Sequence, residues 1–160
     1  MRLYLLRHGD AEKKNSAGKD FDRGLSELGK IQVERVKNRL EKEAKDVDFT
    51  VFCSSAKRTR ETWKEISSVI KTEEIEFLDE LYLAERVDLL NFLWNVNHPT
   101  DTVMIVGHNN GLSDLASYFL DDRFIMPTSG LLIIDFPEAK DLSETGIGAG
   151  VKVGKCFPIE

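Results

Sequence analysis

The sequence predicts a three-layer α/β/α sandwich with a mostly parallel central sheet, on two observations. One unit occurs three times along the chain: a short apolar strand, a turn carrying arginine or histidine, and an amphipathic helix. Strands linked through helices lie side by side, with the helices on the faces of the sheet, so the three turns fall along one edge where ligands bind. The chain has 160 residues, enough for one proper core and short for two, so residues 1–160 are read as a single domain.

The elements follow in order. Residues 3–6 (Leu-Tyr-Leu-Leu) form the first apolar strand and run into Arg7-His8-Gly9. Gly9 is expected to let the backbone turn sharply and to leave room for a ligand. Residues 26–44 read as a helix with Val33, Val36, Leu40 and Ala44 on its inner face. Residues 49–53 form the second strand, and Ser54 or Ser55 suits the N-cap of the helix that follows. Thr59, Trp63, Ile66 and Ile70 recur there at helical spacing. A short strand is expected over 75–78 and a short helix over 86–94. Residues 103–106 form the third apolar strand, followed by Gly107-His108-Asn109 and then by Leu112, Leu115 and Phe119 at helical spacing. Strands over 131–136 and 151–157 flank a turn containing Gly146, Gly148 and Gly150, and the last is expected to run antiparallel.

The turn residues suit an anionic ligand. Arginine presents a planar fork of donors to phosphate oxygens, and imidazole attacks or shuttles protons near neutral pH. Arg58 falls in the first turn of its helix, where free N–H groups and the dipole already favour an anion. Each turn alone reads equally well as ordinary surface. Because parallel strand ends share an edge, however, Arg7, His8, Arg58 and His108 are expected to converge. A formal net charge of −6 argues against nucleic acid as a partner. It also requires positive potential to be concentrated locally around any bound anion, with Arg7, Arg23, Lys57, Arg58 and Arg60 as candidates.

Other classes find little support. No apolar run approaches a membrane span, and the first strand lacks the length and basic flank of a signal peptide, so no membrane partner and a cytoplasmic location are expected. Cys53 and Cys156 read as two reduced thiols. Three histidines without short ligand spacing give no metal site, and no stretch resembles a nucleotide phosphate loop, so no cofactor is expected. His98, before Pro99, lies at the opposite strand end and reads as structural.

Four linked segments resemble one family. Leu6-Arg7-His8-Gly9-Asp10-Ala11, the Asp22-Arg23 to Gly29 stretch, Ser54 through Arg58 to Thr62, and Val106-Gly107-His108-Asn109 resemble the histidine phosphatase superfamily, with its phosphoglycerate mutase-like fold. Within it they are most similar to the small SixA-type phosphohistidine phosphatases, over roughly residues 1–136. Gly24 and Ser55 stand where the family commonly has proline, and Glu61 where it has glutamine.

The resemblance implies His8 as a nucleophile that forms a covalent phosphohistidine, Arg7 and Arg58 as the oxygen clamp, and His108 as a further donor. Arg23, Asn109 and Gly9 would join in substrate binding, although Asn109 equally shapes the turn. The expected substrate is a phosphohistidine-bearing signalling protein such as a histidine phosphotransfer domain. The short interval from 71 to 101 leaves little chain for a lid over an open site. An ordinary ester needs a proton donor for its leaving alkoxide, and Glu80 is the nearest candidate by order, with Asp10 and Glu85 behind it. Two alternatives stand beside this reading: a small-molecule phosphomonoesterase or mutase of the same superfamily, and a noncatalytic phosphoprotein-binding domain.

Overall fold

The computed structural model describes residues 1–13 and 18–158. Its order is β1 (Arg2–Arg7), α1 (Glu27–Glu43), β2 (Asp48–Ser54), α2 (Lys57–Ile66), β3 (Lys71–Leu78), α3 (Arg86–Asn95), β4 (Thr102–Gly107), α4 (Gly111–Leu120), β5 (Leu131–Asp135) and β6 (Val151–Cys156). The six strands lie in one sheet in the order β3-β2-β4-β1-β5-β6. The first four in that order are mutually parallel. β5 runs antiparallel to β1, and β6 antiparallel to β5.

The short apolar runs exist because the central strands are covered on both faces. Leu3 and Leu5 of β1 pack with Val103 and Ile105 of β4 against Leu90, Leu93, Leu112 and Phe119 of α3 and α4. Tyr4 and Leu6, pointing the other way, pack with Met104 and Val106 against Val33, Val36, Trp63 and Ile66 of α1 and α2. Each such leucine contributes about 1.5–3 kcal/mol on burial, so a polar substitution on either face of β1 would damage one of two cores. β3 is different. As an edge strand it keeps Glu73, Glu74 and Glu76 exposed, and it is longer than the apolar signal at 75–78.

Two local expectations need correction. Ser26 caps α1 by accepting the Gly29 N–H, but α2 is capped by Ala56, with no side-chain bond. Ser54 still belongs to β2, and Ser55 donates its hydroxyl to Asp79. The second helix also stops at Ile66. Ile70 reaches the same core only after a 3₁₀ turn, Ser67–Val69. No helix among the described residues is long and apolar enough to cross a membrane.

Candidate active site

Sheet register places the functional side chains. Arg7 pairs with Gly107 and Cys53 with Val106 in neighbouring parallel strands, so β1, β4 and β2 end side by side. The residues that follow are His8, His108 and Ser54. The His8 N–H donates to the Gly107 carbonyl at 3.1 Å, and the Ser129 N–H donates to the His8 carbonyl at 2.8 Å, so the histidine backbone is tied on both sides. The two imidazole centroids are 5.3 Å apart.

His8 Nδ1 lies 2.7 Å from the Gly9 carbonyl oxygen. That oxygen only accepts, so Nδ1 carries the proton and Nε2 keeps its lone pair. The lone pair faces Arg58, whose Nε is 3.3 Å from Nε2. Arg58 sits in the first turn of α2 with a side chain 3% exposed, and its remaining nitrogens donate to the Asp20 carbonyl at 2.8 Å and to Asp20 Oδ2 at 3.0 Å. Arg7 Nη1 donates to the Met126 carbonyl at 3.0 Å. His108 Nε2 is 2.7 Å from Ser54 Oγ, while its Nδ1 is buried with no hydrogen-bond partner among the described residues.

The site keeps both imidazoles neutral. Burial, with the nearby His108, Arg58 and Arg7, pushes His8 down to about 3 against the opposing hydrogen bond to Gly9. Burial and Arg58 likewise push His108 down to about 3, although Asp20 opposes the shift. The Asp20 carboxyl is held well below the usual carboxylate range by the Tyr82 hydroxyl first and by Arg23 and Arg58 after it. The result is a neutral, aimed nitrogen lone pair beside a guanidinium, at the edge of an acidic protein.

The remaining predicted residues lie around this cluster in different ways. Arg23 donates to Asp20 Oδ1 at 2.9 Å and to the Glu12 carbonyl at 2.9 Å, so it meets the cluster through Asp20. Asn109 Nδ2 donates to the same Met126 carbonyl that Arg7 uses, and its Oδ1 accepts from Ser113, which fastens the turn. At Gly9 the space on the side-chain side is taken by α1. A Cβ there would lie 2.8 Å from both the Gly29 oxygen and Val33 Cγ2, so its missing side chain serves contact with α1. Arg60 points away, donating to the Ser55 carbonyl with its guanidinium over Phe77.

Glu80 is exposed and lines a groove with Asp88, Asn91, Phe92, Asn95 and Val96, on the α3 side rather than at the histidines. Asp10 accepts from Ser26, and Glu85 forms a capping box at the start of α3. Three residues escaped the sequence reading. Ser54 appears there as a cap candidate and as the start of a family segment, with no role at the histidines. Asp20 and Tyr82 belong to short nonperiodic segments, yet the Tyr82 hydroxyl donates to Asp20 Oδ2 and its ring meets His108 edge-on at 5.4 Å.

A neutral imidazole with its lone pair free of a proton, two guanidiniums and a second imidazole form a set of groups suited to a tetrahedral dianion. Comparisons with known proteins agree with that chemistry. Residues 3–86 match the model of the histidine phosphatase superfamily, branch 1. A probable phosphatase of Schizosaccharomyces pombe is 32% identical over 143 residues, covering 81% of this chain. The chain spans 63% of that relative's length. Among solved structures, SixA of Agrobacterium tumefaciens has 25% identity and a TM-score of 0.80, with 98% of this chain and 97% of that chain covered. SixA of Nakamurella multipartitia, at 23% identity and a TM-score of 0.81 over 99% and 96% of the two chains, shares the fold. By sequence match and by architecture, the chain belongs to the histidine phosphatase superfamily.

Proposed function

We propose that this protein is a phosphatase that removes the phosphoryl group from a histidine of another protein, through a covalent phosphohistidine on His8. The observation that carries the reading is the aimed lone pair: Nδ1–H is held by the Gly9 carbonyl, and Nε2 faces Arg58 Nε at 3.3 Å. An anion-binding domain has no need of a neutral imidazole oriented in this way. The likeness to the Agrobacterium tumefaciens protein described as a "putative phosphohistidine phosphatase SixA" supports the same substrate class.

The proposed reaction has two steps. His8 Nε2 attacks phosphorus in line while Arg7 and Arg58 take the nonbridging oxygens, and the bond to the leaving nitrogen breaks with its electron pair. In this scheme Ser54 Oγ–H bonds to His108 Nε2, which leaves the proton on Nδ1 for donation to a phosphoryl oxygen; the unpartnered Nδ1 supports that role. Water then attacks the phosphohistidine and departs with phosphorus as dihydrogen phosphate, and the electron pair returns to Nε2.

The leaving group favours phosphohistidine over an ester. An alkoxide needs a proton donor, whereas imidazole that is already protonated on its distal nitrogen leaves neutral. Asp20 stays ionised and cannot give a proton. Glu80 lies in the α3 groove. A histidine exposed on a protein, as on a histidine phosphotransfer domain, fits this requirement.

The test is phosphate release from a histidine-phosphorylated protein beside a panel of small phosphate esters, with acid-labile phosphate on His8 measured after rapid quenching. Turnover of phosphohistidine with label on His8 is the expected result. Efficient ester cleavage with phosphohistidine left intact would replace this reading with the small-molecule one.

A further inference from the structure

We infer that Asp20, with the rings of Phe21 and Tyr82, forms a leaving-group subsite that selects a protonated nitrogen heterocycle over an uncharged oxygen leaving group. The inference rests on the phosphohistidine reading and adds how this chain would recognise the departing ring.

The starting point is that Arg58 is already paired. Its Nη1 and Nη2 donate to the Asp20 carbonyl and carboxylate, at 2.8 and 3.0 Å, on the same guanidinium whose Nε faces the nucleophile. A phosphoryl group that engages those terminal nitrogens therefore competes with a carboxylate for them. For a dianionic ester this leaves Asp20 with Arg23 as its remaining cationic partner beside the phosphate, a more repulsive arrangement. For a phosphohistidine protonated on its distal ring nitrogen, both halves of the exchange are matched. The phosphoryl oxygens replace the carboxylate on Arg58, and the ring N–H replaces Arg58 on the carboxylate. The substrate carries both signs of charge and so does the ion pair that it opens.

The surroundings suit a flat cation. Tyr82 and Phe21 meet edge-to-face at 5.0 Å, and both are partly exposed. Tyr82 already has the Arg58 guanidinium carbon 5.8 Å from its ring centroid, within the range of a cation–π contact. Arg23 keeps Asp20 Oδ1 and the Tyr82 hydroxyl keeps Oδ2, so the carboxylate stays in place when Arg58 turns to phosphate. No proton moves to Asp20 in this scheme. The His8 Nε2–phosphorus bond forms as the substrate's phosphorus–nitrogen bond breaks. Its electron pair stays on the substrate ring, and the distal N–H remains where it was, donating to Asp20 as neutral imidazole departs.

The experiment compares kcat/KM for a histidine-phosphorylated peptide with that for p-nitrophenyl phosphate, in the unaltered protein, Asp20→Asn and Phe21→Leu. A hydrogen bond to a charged group predicts that Asp20→Asn lowers the ratio of the two by about tenfold or more. Phe21→Leu, which leaves the Arg58–Asp20 pair intact, is expected to lower the same ratio through KM, and it decides the matter if Asp20→Asn fails to fold. Parallel losses on both substrates would overturn the subsite and leave Asp20 as a support for Arg58, with the phosphohistidine reading standing. If the unaltered protein leaves the phosphopeptide intact, the functional reading and the subsite fall together.

Discussion

Replacing Arg58 by lysine conserves charge and tests geometry alone. The guanidinium is almost fully buried and spans two partners at once, with Nε on His8 Nε2 and both terminal nitrogens on Asp20. A lysine ammonium is a compact point on a flexible stem and cannot bridge His8 and Asp20 together. Two of the three contacts are lost. The Asp20 side chain is 45% exposed, so water replaces part of what is removed. After that discount we expect stability to fall by about 1–2 kcal/mol, read as a shifted urea midpoint. The effect on chemistry is larger, because the lost donor faces charge that develops during transfer: about 3 kcal/mol, or roughly a hundredfold in kcat. Single-turnover transfer from a phosphohistidine substrate to His8 measures it directly. A folded Arg58→Lys protein within about threefold of the original rate would refute the clamp, since a rigid fork would then be unnecessary at that position.

Other expectations follow from the same geometry. His8→Ala should abolish turnover and acid-labile labelling in a protein that still folds, and substantial activity in that variant would move the nucleophile elsewhere. Stability should depend on pH through His8 and His108, both pushed down from 6.5 to about 3. Below pH 6.5 the unfolded chain binds more protons than the folded one, so stability present above 6.5 is lost as pH falls, by up to about 1.4 kcal/mol per pH unit for each histidine. Urea unfolding at pH 7 and pH 5.5 checks this, and His8→Ala should remove one of the two contributions; a flat profile would contradict neutral burial. Glu80→Gln should leave phosphohistidine turnover within about twofold, whereas loss of a true proton donor costs roughly a hundredfold. A loss of the larger size, in a well-folded protein, would bring Glu80 back to the chemistry.

The parts of this fold that are legible in the sequence are those for which burial leaves a pattern. β1, β2 and β4 are covered on both faces, so each is a nearly unbroken apolar run, and their parallel register follows from the helices between them. β3 is an edge strand with exposed glutamates, and only its last residues carry an apolar signal. The convergence of Arg7, His8, Arg58 and His108 is likewise legible, because strand ends of one parallel sheet share an edge. Asp20 and Tyr82 are not. They come from short 3₁₀ segments or the residue beside one, and 62 positions separate two side chains that meet only in the folded chain. Ser54 shows a subtler failure. Its type and place fit a helix cap, yet the strand extends through it and its hydroxyl goes to His108 instead.

The departures from the family pattern gain meaning once their contacts are known. Ser55 stands at a position where the family commonly has proline. Here its N–H donates to the Leu78 carbonyl at 3.3 Å and its hydroxyl to Asp79, and proline could make neither bond. Those bonds pin the turn Asp79–Leu81 to the end of β2, and Tyr82 leaves that turn to hold Asp20. Ser55 is thus connected, through Asp79, Tyr82 and Asp20, to the guanidinium that faces His8 Nε2. Gly24 and Glu61, the other two departures, touch each other. Glu61 accepts the Leu25 N–H at 3.2 Å, and a Cβ on residue 24 would lie 2.4 Å from that same carboxylate oxygen. A proline at 24 would drive the carboxylate off Leu25 and loosen the chain just after Arg23, whose guanidinium holds Asp20. The three departures therefore lie next to the site: Ser55 holds the turn that precedes Tyr82, while Gly24 and Glu61 shape the chain beside Arg23, and Tyr82 and Arg23 both hold the carboxylate that pairs with Arg58.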